Sequence, residues 1–158
     1  TPKPSSAASD VYKRQHENRA VFRRIWLRPR ILRNVRYVDP STKILGIPSA
    51  LPFYITATAL GRMGHPDGEL NLTRAAAKTG LIQMIPTLSS VSFDEIIDAR
   101  NQEGGPAQFF QLYVSTDRNV VANMLRRAEE TNVKAIFVTV DAPQLGRREQ
   151  DMRMHVVH

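Results

Sequence analysis

The chain has 158 residues, enough for one modest domain with its own hydrophobic core. Hydrophobic residues make up 42% of the sequence and the mean hydropathy is −0.32. No stretch reaches the unbroken apolar length that predicts a membrane span. The absence of cysteine excludes disulfides and thiolate metal sites, and no histidine pair has metal-ligand spacing. Together these features favour a soluble, intracellular protein with no metal.

The net charge of +7 is concentrated at one end of the chain. The first 36 residues hold ten Lys or Arg and only two Asp or Glu, so the rest is close to neutral. Phe22 and Trp26 lie among the arginines of this basic arm, residues 13–36. Such an arm can bind nucleic acid. We instead favour the interpretation that its Arg and Trp side chains pack over the domain surface.

Both ends of the chain predict a fragment. Residues 1–15, TPKPSSAASDVYKRQ, show no helical or strand period and resemble translated adapter sequence, with a flexible native tail as the alternative. The last residues, MRMHVVH, carry no helix-capping signal. We therefore place residues 1–15 outside the fold and assign residues 16–158 to one incomplete domain.

Between these ends, strands and helices alternate. Apolar, β-branched and aromatic runs predict four strands, at residues 52–59, 81–87, 108–114 and 134–140. Three helices are predicted between them, at residues 65–80, 92–100 and 116–131. Continuous apolar strands joined by helices indicate an α/β fold with a parallel sheet, either doubly wound or a (β/α) barrel.

Local signals support each helix. Pro66 suits the first turn of the first helix and Gly80 the position after its end. Ser92 and Glu95 have capping-box spacing. The third helix is expected to bury one apolar face, formed by Val120, Val121, Met124, Leu125 and Ala128.

Polar or small residues gather where the strands end. The first strand ends in Ala57, Thr58 and Ala59; the third carries Gln111 and Tyr113 two apart, and the fourth Thr139 and Asp141 two apart. Each has an ordinary explanation by itself: a core tyrosine, a strand threonine, a turn-forming aspartate. Because carboxyl ends of parallel strands form the ligand crevice, their coincidence favours a site.

The residue types at the ends of these strands suit one kind of chemistry. Gln111 and Thr139 offer amide and hydroxyl groups for the polar edge of a heteroaromatic ring, and small alanines admit a planar cofactor. Arg148 presents a planar fork that matches a carboxylate. Asp141 can orient and stabilise a catalytic histidine. The sequence has neither a Gly-rich dinucleotide fingerprint nor a P-loop.

Three stretches together, FYITATALGRMGHPDGE, FFQLYVSTDRNVV and AIFVTVDAPQLGRRE, resemble the FMN-dependent α-hydroxy-acid dehydrogenases and oxidases. The resemblance runs from about His16 to about Met154. It implies a TIM (β/α)8 barrel, of which this chain would be about the first four βα units. It also implies FMN as cofactor, oxidation of an L-2-hydroxy acid of the lactate or glycolate type, and a homo-oligomeric parent.

The same resemblance assigns roles to individual residues. Ala57, Thr58 and Ala59 would line the flavin, and Gln111 and Thr139 would hydrogen-bond it. Tyr113 and Arg148 would contact the substrate. Asp141 would pair with the catalytic histidine, which the resemblance places after His158 together with the phosphate-binding loops.

One departure concerns the second strand. Pro86 stands where the family commonly has a flavin-bonding serine, so that contact is expected to be lost or to move to Thr87. The alternative function is a non-catalytic half-barrel that self-associates or whose basic arm binds nucleic acid.

Overall fold

The computed structural model describes residues 14–141. These residues fall into two compact units. One contains residues 14–37 together with Asp141, and the other runs from Val38 to Val140.

The smaller unit consists mainly of the basic arm. Residues 14–20 are helical (α1), a 3-10 turn spans Val21–Arg23, and residues 24–37 contain no helix or strand. Phe22 and Trp26 are 77% and 86% exposed. The expectation that the Arg and Trp side chains of this arm pack over the domain surface stays a prediction.

The larger unit opens with a hairpin that the sequence analysis did not predict. Strands β1 (Thr42–Ile44) and β2 (Ile47–Ser49) pair antiparallel across Leu45 and Gly46, whose φ angles are 50° and 80°. Two positive φ angles in a two-residue turn match the twist of a hairpin, although leucine rarely adopts one. Ile44 and Ile47 at the turn pack against the core of the unit.

Three parallel strands follow in sequence order: β3 (Met84–Ile85), β4 (Phe109–Leu112) and β5 (Ala135–Val138). The predicted strand at 52–59 contributes only one parallel bridge, between Ile55 and Gln83. The order along the sheet is thus the order along the chain. A doubly wound sheet reverses direction at a switch point, so this order favours the barrel alternative.

Three helices connect the strands: α2 (Glu69–Thr79), α3 (Phe93–Gln102) and α4 (Arg118–Glu130). The capping box of Ser92 and Glu95 and the left-handed Gly80 after α2 are confirmed. Helix α2 begins three residues later than Pro66, because Gly68 before it has φ 54°, outside the helical region.

The buried face of α4 is narrower than predicted. Ala128 is buried and Val121 and Met124 pack against the same core, whereas Val120 and Leu125 are exposed. The contacting residues are spaced i, i+3 and i+7, which is one line along a helix.

Two apolar layers lie on opposite faces of the parallel sheet. The helix-side layer contains seven buried residues: Ile85, Val91, Ile96, Ile97, Phe110, Leu112 and Ala128. The other layer centres on Ile82, Met84 and Phe109, with Tyr54, Ala57, Ala135 and Phe137 packed against them. The expected α/β class is confirmed, and the described residues form an open sheet rather than a closed barrel. None of the helices described is long and apolar enough to cross a membrane.

Candidate functional site

Three aromatic rings form a floor on the sheet face opposite the helices. The ring centroids of Tyr54 and Phe109 are 5.6 Å apart at an interplanar angle of 77°, and those of Phe109 and Phe137 are 5.4 Å apart. Both contacts lie within the range that stabilises aromatic pairs. In the register of β4 and β5, Phe109 lies opposite Ala135 and Phe137 lies opposite Gln111, so the two phenylalanine rings are diagonal neighbours on one face of the sheet.

A polar layer lies one step further along the same strands. Because side chains alternate along a strand, Gln111 and Thr139 share the face of Phe109 and Phe137. The Gln111 amide Nε2 donates to Thr139 Oγ1 at 2.9 Å, and Gln111 is buried. The structure thus brings together two residues that the sequence predicted for one site.

Thr87 fixes the orientation of the Gln111 amide. Its backbone N–H donates to Gln111 Oε1 at 3.1 Å, so the amide nitrogen must face Thr139. The Thr87 hydroxyl donates to the Gln111 carbonyl at 2.5 Å and accepts from the Tyr113 N–H at 3.0 Å. In a regular parallel ladder the backbone of residue 87 would make these two bonds.

The hydroxyl of Thr87 is therefore already engaged. Its only hydrogen goes to the Gln111 carbonyl. The neighbouring Pro86 is buried and has neither a hydroxyl nor an N–H. The expectation that the serine contact is lost or moves to Thr87 stays a prediction.

The residues at the end of the first extended segment differ in environment. Ala57 is half-buried and packs against the aromatic floor. Thr58 and Ala59 are exposed, and the Thr58 hydroxyl donates to the Thr56 carbonyl at 3.3 Å. Of these three residues, only Ala57 packs against the aromatic floor to which β4, the strand of Gln111, contributes Phe109.

Tyr113 lies at the end of β4, with its backbone anchored to Thr87 and its side chain 43% exposed. Asp141 is exposed and belongs to the smaller unit. Arg148 lies outside the described residues. The roles expected for these three residues stay predictions.

The described residues also contain a buried carboxylate that the sequence analysis did not assign to any site. Glu69, the first residue of α2, is 0% exposed. Its Oε1 accepts from the N–H groups of Gly61 at 2.8 Å and Ser90 at 3.0 Å, and its Oε2 accepts from the Ser90 hydroxyl at 2.6 Å. No sequence spacing marks this cluster, because its members are 8 and 21 residues from Glu69.

The hydrogen bonds set the charge state of Glu69. Burial raises the pKa of this carboxyl, but the bonds from Ser90 and Gly61 outweigh burial and lower the pKa from 4.5 to about 2. Glu69 is therefore ionised at neutral pH.

The polar layer fits the edge of a flavin ring. Gln111 uses one amide hydrogen and one lone pair within the layer, which leaves one of each. Among the described residues no acceptor is recorded for the Thr139 hydroxyl hydrogen. Spare donors and an acceptor beside half-buried Ala57, above an aromatic floor, suit a planar cofactor that carries both acceptors and donors.

Comparison with known proteins identifies the family. The family described as FMN-dependent dehydrogenase matches residues 5–158. The chain belongs to the FMN-dependent dehydrogenase family. L-lactate dehydrogenase (cytochrome) from Wickerhamomyces anomalus is 47% identical over 150 residues, which are 95% of this chain and 26% of that protein. Glycolate oxidase 3 from Arabidopsis thaliana is 45% identical over 149 residues, 94% of this chain and 39% of that protein.

Solved structures of the same kind are similar in fold. A mutant flavocytochrome b2 with pyruvate bound has a TM-score of 0.79 at 43% identity, covering 84% of this chain and 34% of that one. Mandelate oxidase with 3,3-difluoro-2-hydroxy-3-phenylpropionic acid has a TM-score of 0.80 at 40% identity, covering 89% and 41%. The resemblance to the α-hydroxy-acid enzymes is confirmed, and so is FMN as the cofactor of the family. The chain spans less than half the length of each of these proteins.

Proposed function

We propose that the protein containing this chain is an FMN-dependent oxidoreductase that oxidises an L-2-hydroxy acid of the lactate or glycolate type to the 2-oxo acid. The family match and relatives named for lactate, glycolate and mandelate support this reaction class. We also propose that residues 16–158 form about the first four βα units of a TIM barrel. The sequential order of the parallel strands supports that assignment.

The observation that carries the proposal is the hydrogen-bonded pair of Gln111 and Thr139 above the aromatic floor. Thr87 holds the amide in one orientation, so a ring placed against it meets a fixed pattern of donor and acceptor. Such preorganisation reduces the entropy that binding would otherwise cost.

We assign the remaining cofactor contacts to the segment after Ile55. The side chain of Ala57 is small enough for a ring to approach the backbone. In this proposal Ala57, Thr58 and Ala59 together form one wall of the cofactor site. When bound, FMN supplies the acceptor for the two electrons that leave the substrate.

The substrate contacts in the proposal come from three residues. Tyr113 donates a phenolic hydrogen bond, and the guanidinium of Arg148 pairs with the substrate carboxylate through two parallel hydrogen bonds. Asp141 holds a catalytic histidine, supplied by another part of the protein, and stabilises it once it has taken the hydroxyl proton.

Reconstitution with FMN tests this function directly. The whole protein that contains this chain should retain FMN, and anaerobic addition of L-lactate or glycolate should bleach its visible flavin band. Thr139→Val, which removes the hydroxyl beside Gln111, should weaken FMN binding, whereas Thr79→Val at the far end of α2 should not. A protein that retains no FMN, or whose flavin no L-2-hydroxy acid reduces, would contradict the proposal.

A second candidate is the non-catalytic fragment, and specific observations favour it. Ile136 and Val138 on β5 are exposed, as are Phe22 and Trp26 in the basic arm. Exposed apolar strand residues promote self-association, and exposed aromatics among arginines suit single-stranded nucleic acid. Light scattering of the 158-residue chain, and salt-dependent binding of a labelled oligonucleotide, would identify either behaviour.

A further inference from the structure

The Glu69 carboxylate joins two loops that are far apart in the sequence. Gly61 begins a short 3-10 helix (Gly61–Met63) in the connection that leaves the Ala57–Ala59 segment, and Ser90 belongs to the loop after β3. Both donate to the same oxygen of Glu69, and the Ser90 hydroxyl donates to the other. Ser90 Oγ in turn accepts from the Arg62 N–H at 2.9 Å, which adds a second link between the loops.

The negative charge of Glu69 is balanced by these donors rather than by a cation. No Lys or Arg side chain forms an ion pair with Glu69 among residues 14–141. The carboxylate also lies in the first turn of α2, where the helix dipole favours a negative charge. A buried carboxylate held only by N–H and O–H groups is sensitive to the position of every donor.

The loop that Glu69 holds adopts a costly shape. Leu60 has φ 59° and ψ 38°, a left-handed conformation that disfavours residues with a Cβ. A Cβ placed on the next residue, Gly61, would lie 2.8 Å from the Glu69 nitrogen. The backbone is therefore both strained and tightly packed just after Ala59, and it needs an external constraint to stay there.

We propose that Glu69 is a positioning residue for the flavin site, whose buried carboxylate fixes the Ala57–Gly61 segment against the loop after β3. This inference rests on the proposed function. Glu69 touches neither cofactor nor substrate in this assignment. It acts by holding the wall formed by Ala57, Thr58 and Ala59 at the correct distance from the β4 end that carries Gln111.

Two substitutions of Glu69 separate geometry from charge. Glu69→Gln retains Oε1 for the N–H groups of Gly61 and Ser90, and its amide nitrogen can donate to Ser90 Oγ. Glu69→Ala removes every one of these bonds. In the FMN-loaded protein, we expect Glu69→Ala to raise the FMN dissociation constant at least about tenfold and Glu69→Gln to stay within about threefold, since each lost hydrogen bond changes a binding constant by roughly that order.

Amide hydrogen exchange gives a readout that does not depend on the flavin. The N–H groups of Gly61, Arg62 and Ser90 should exchange faster in Glu69→Ala and remain protected in Glu69→Gln. The control is Ala76→Gly, which weakens the same helix at a buried position seven residues after Glu69. It should lower the melting temperature and leave the FMN dissociation constant unchanged.

The outcomes separate the positioning role of Glu69 from the proposed function on which it rests. Faster exchange at Gly61 with unchanged FMN affinity in Glu69→Ala would overturn the positioning role and leave the proposed function standing. Failure of the wild-type protein to bind FMN would remove both. If Glu69→Ala does not fold, Ser90→Ala replaces it, because that change removes only the links through Ser90 Oγ. An FMN affinity in Ser90→Ala equal to that of the wild type would again overturn the positioning role.

Discussion

Replacing Thr87 with valine tests whether a side-chain hydroxyl completes the sheet at the candidate site. Valine has almost the same shape as threonine but neither donates nor accepts. In Thr87→Val the Gln111 carbonyl and the Tyr113 N–H both lose their partner. The Thr87 backbone bond to the Gln111 side chain remains possible, so the substitution removes the hydroxyl contribution alone.

The size of the effect follows from where the two orphaned groups lie. Gln111 is buried, so its unpaired carbonyl costs about 1–3 kcal/mol. Tyr113 is exposed, and water can replace the partner of its N–H at little cost. We therefore expect the free energy of unfolding to fall by about 2 kcal/mol, which is roughly a 30-fold change in the folding equilibrium.

Urea unfolding followed by circular dichroism measures this change. With a denaturant slope of about 1–3 kcal/mol per molar for small proteins, the midpoint should move down by roughly 1 M. Thr87→Ser is the matched control: it retains the hydroxyl and should lie within about 0.5 kcal/mol of wild type. A valine variant as stable as the wild type, or a serine variant as unstable as the valine one, would refute the hydroxyl's role in the ladder.

Four further predictions concern separate features of the chain. Gly61→Ala should lower the free energy of unfolding by about 2 kcal/mol, because its Cβ would meet backbone at 2.8 Å. Gly64→Ala, whose nearest contact is 3.6 Å, should be nearly neutral. Thermal melts of the two variants test this difference. Burial raises the pKa of Glu69, but its hydrogen bonds outweigh burial and lower the pKa from 4.5 to about 2. The ionised carboxylate therefore contributes about 3 kcal/mol to the free energy of unfolding above pH 4.5, and this contribution is lost as the pH falls through 2. A pH series of unfolding free energies should show that loss in the wild type and not in Glu69→Gln. In the whole protein, if it has the proposed activity, Asp141→Asn should lower turnover with FMN still bound, and Arg148→Lys should raise the Michaelis constant because lysine lacks the planar fork; steady-state kinetics equal to wild type would remove either role.

Periodicity in the sequence was sufficient to predict the polar layer. In QFFQLYV and KAIFVTV, Gln111 and Thr139 each follow a phenylalanine by two residues. Because side chains alternate along a strand with a period of two, each polar side chain lies on the same face as that phenylalanine. The structure adds the direct bond between them. The helix ends signalled by Ser92 and Gly80 were predictable for the same reason, because capping depends on residues close in sequence.

Features that depend on distant partners were not predictable. Glu69 reads as an ordinary acidic residue at a helix start, and its burial depends on Gly61 and Ser90 arriving from two other loops. The β1–β2 hairpin was missed because leucine at its turn position disfavours positive φ. In both cases tertiary packing outweighs the local preference.

The shortness of the first predicted strand follows from one residue on its neighbour. The Met84 N–H donates to the Ile55 carbonyl at 2.8 Å, and in a regular parallel ladder the next N–H donated by the same strand, that of residue 86, would bond the Ala57 carbonyl. Pro86 has no N–H, so this pairing ends after a single bridge. The segment from Ala57 onward is thereby released from the sheet, as the wall proposed for Ala57, Thr58 and Ala59 requires. Because the ladder no longer fixes it, its position depends on hydrogen bonds from elsewhere, and those are the bonds that Glu69 accepts.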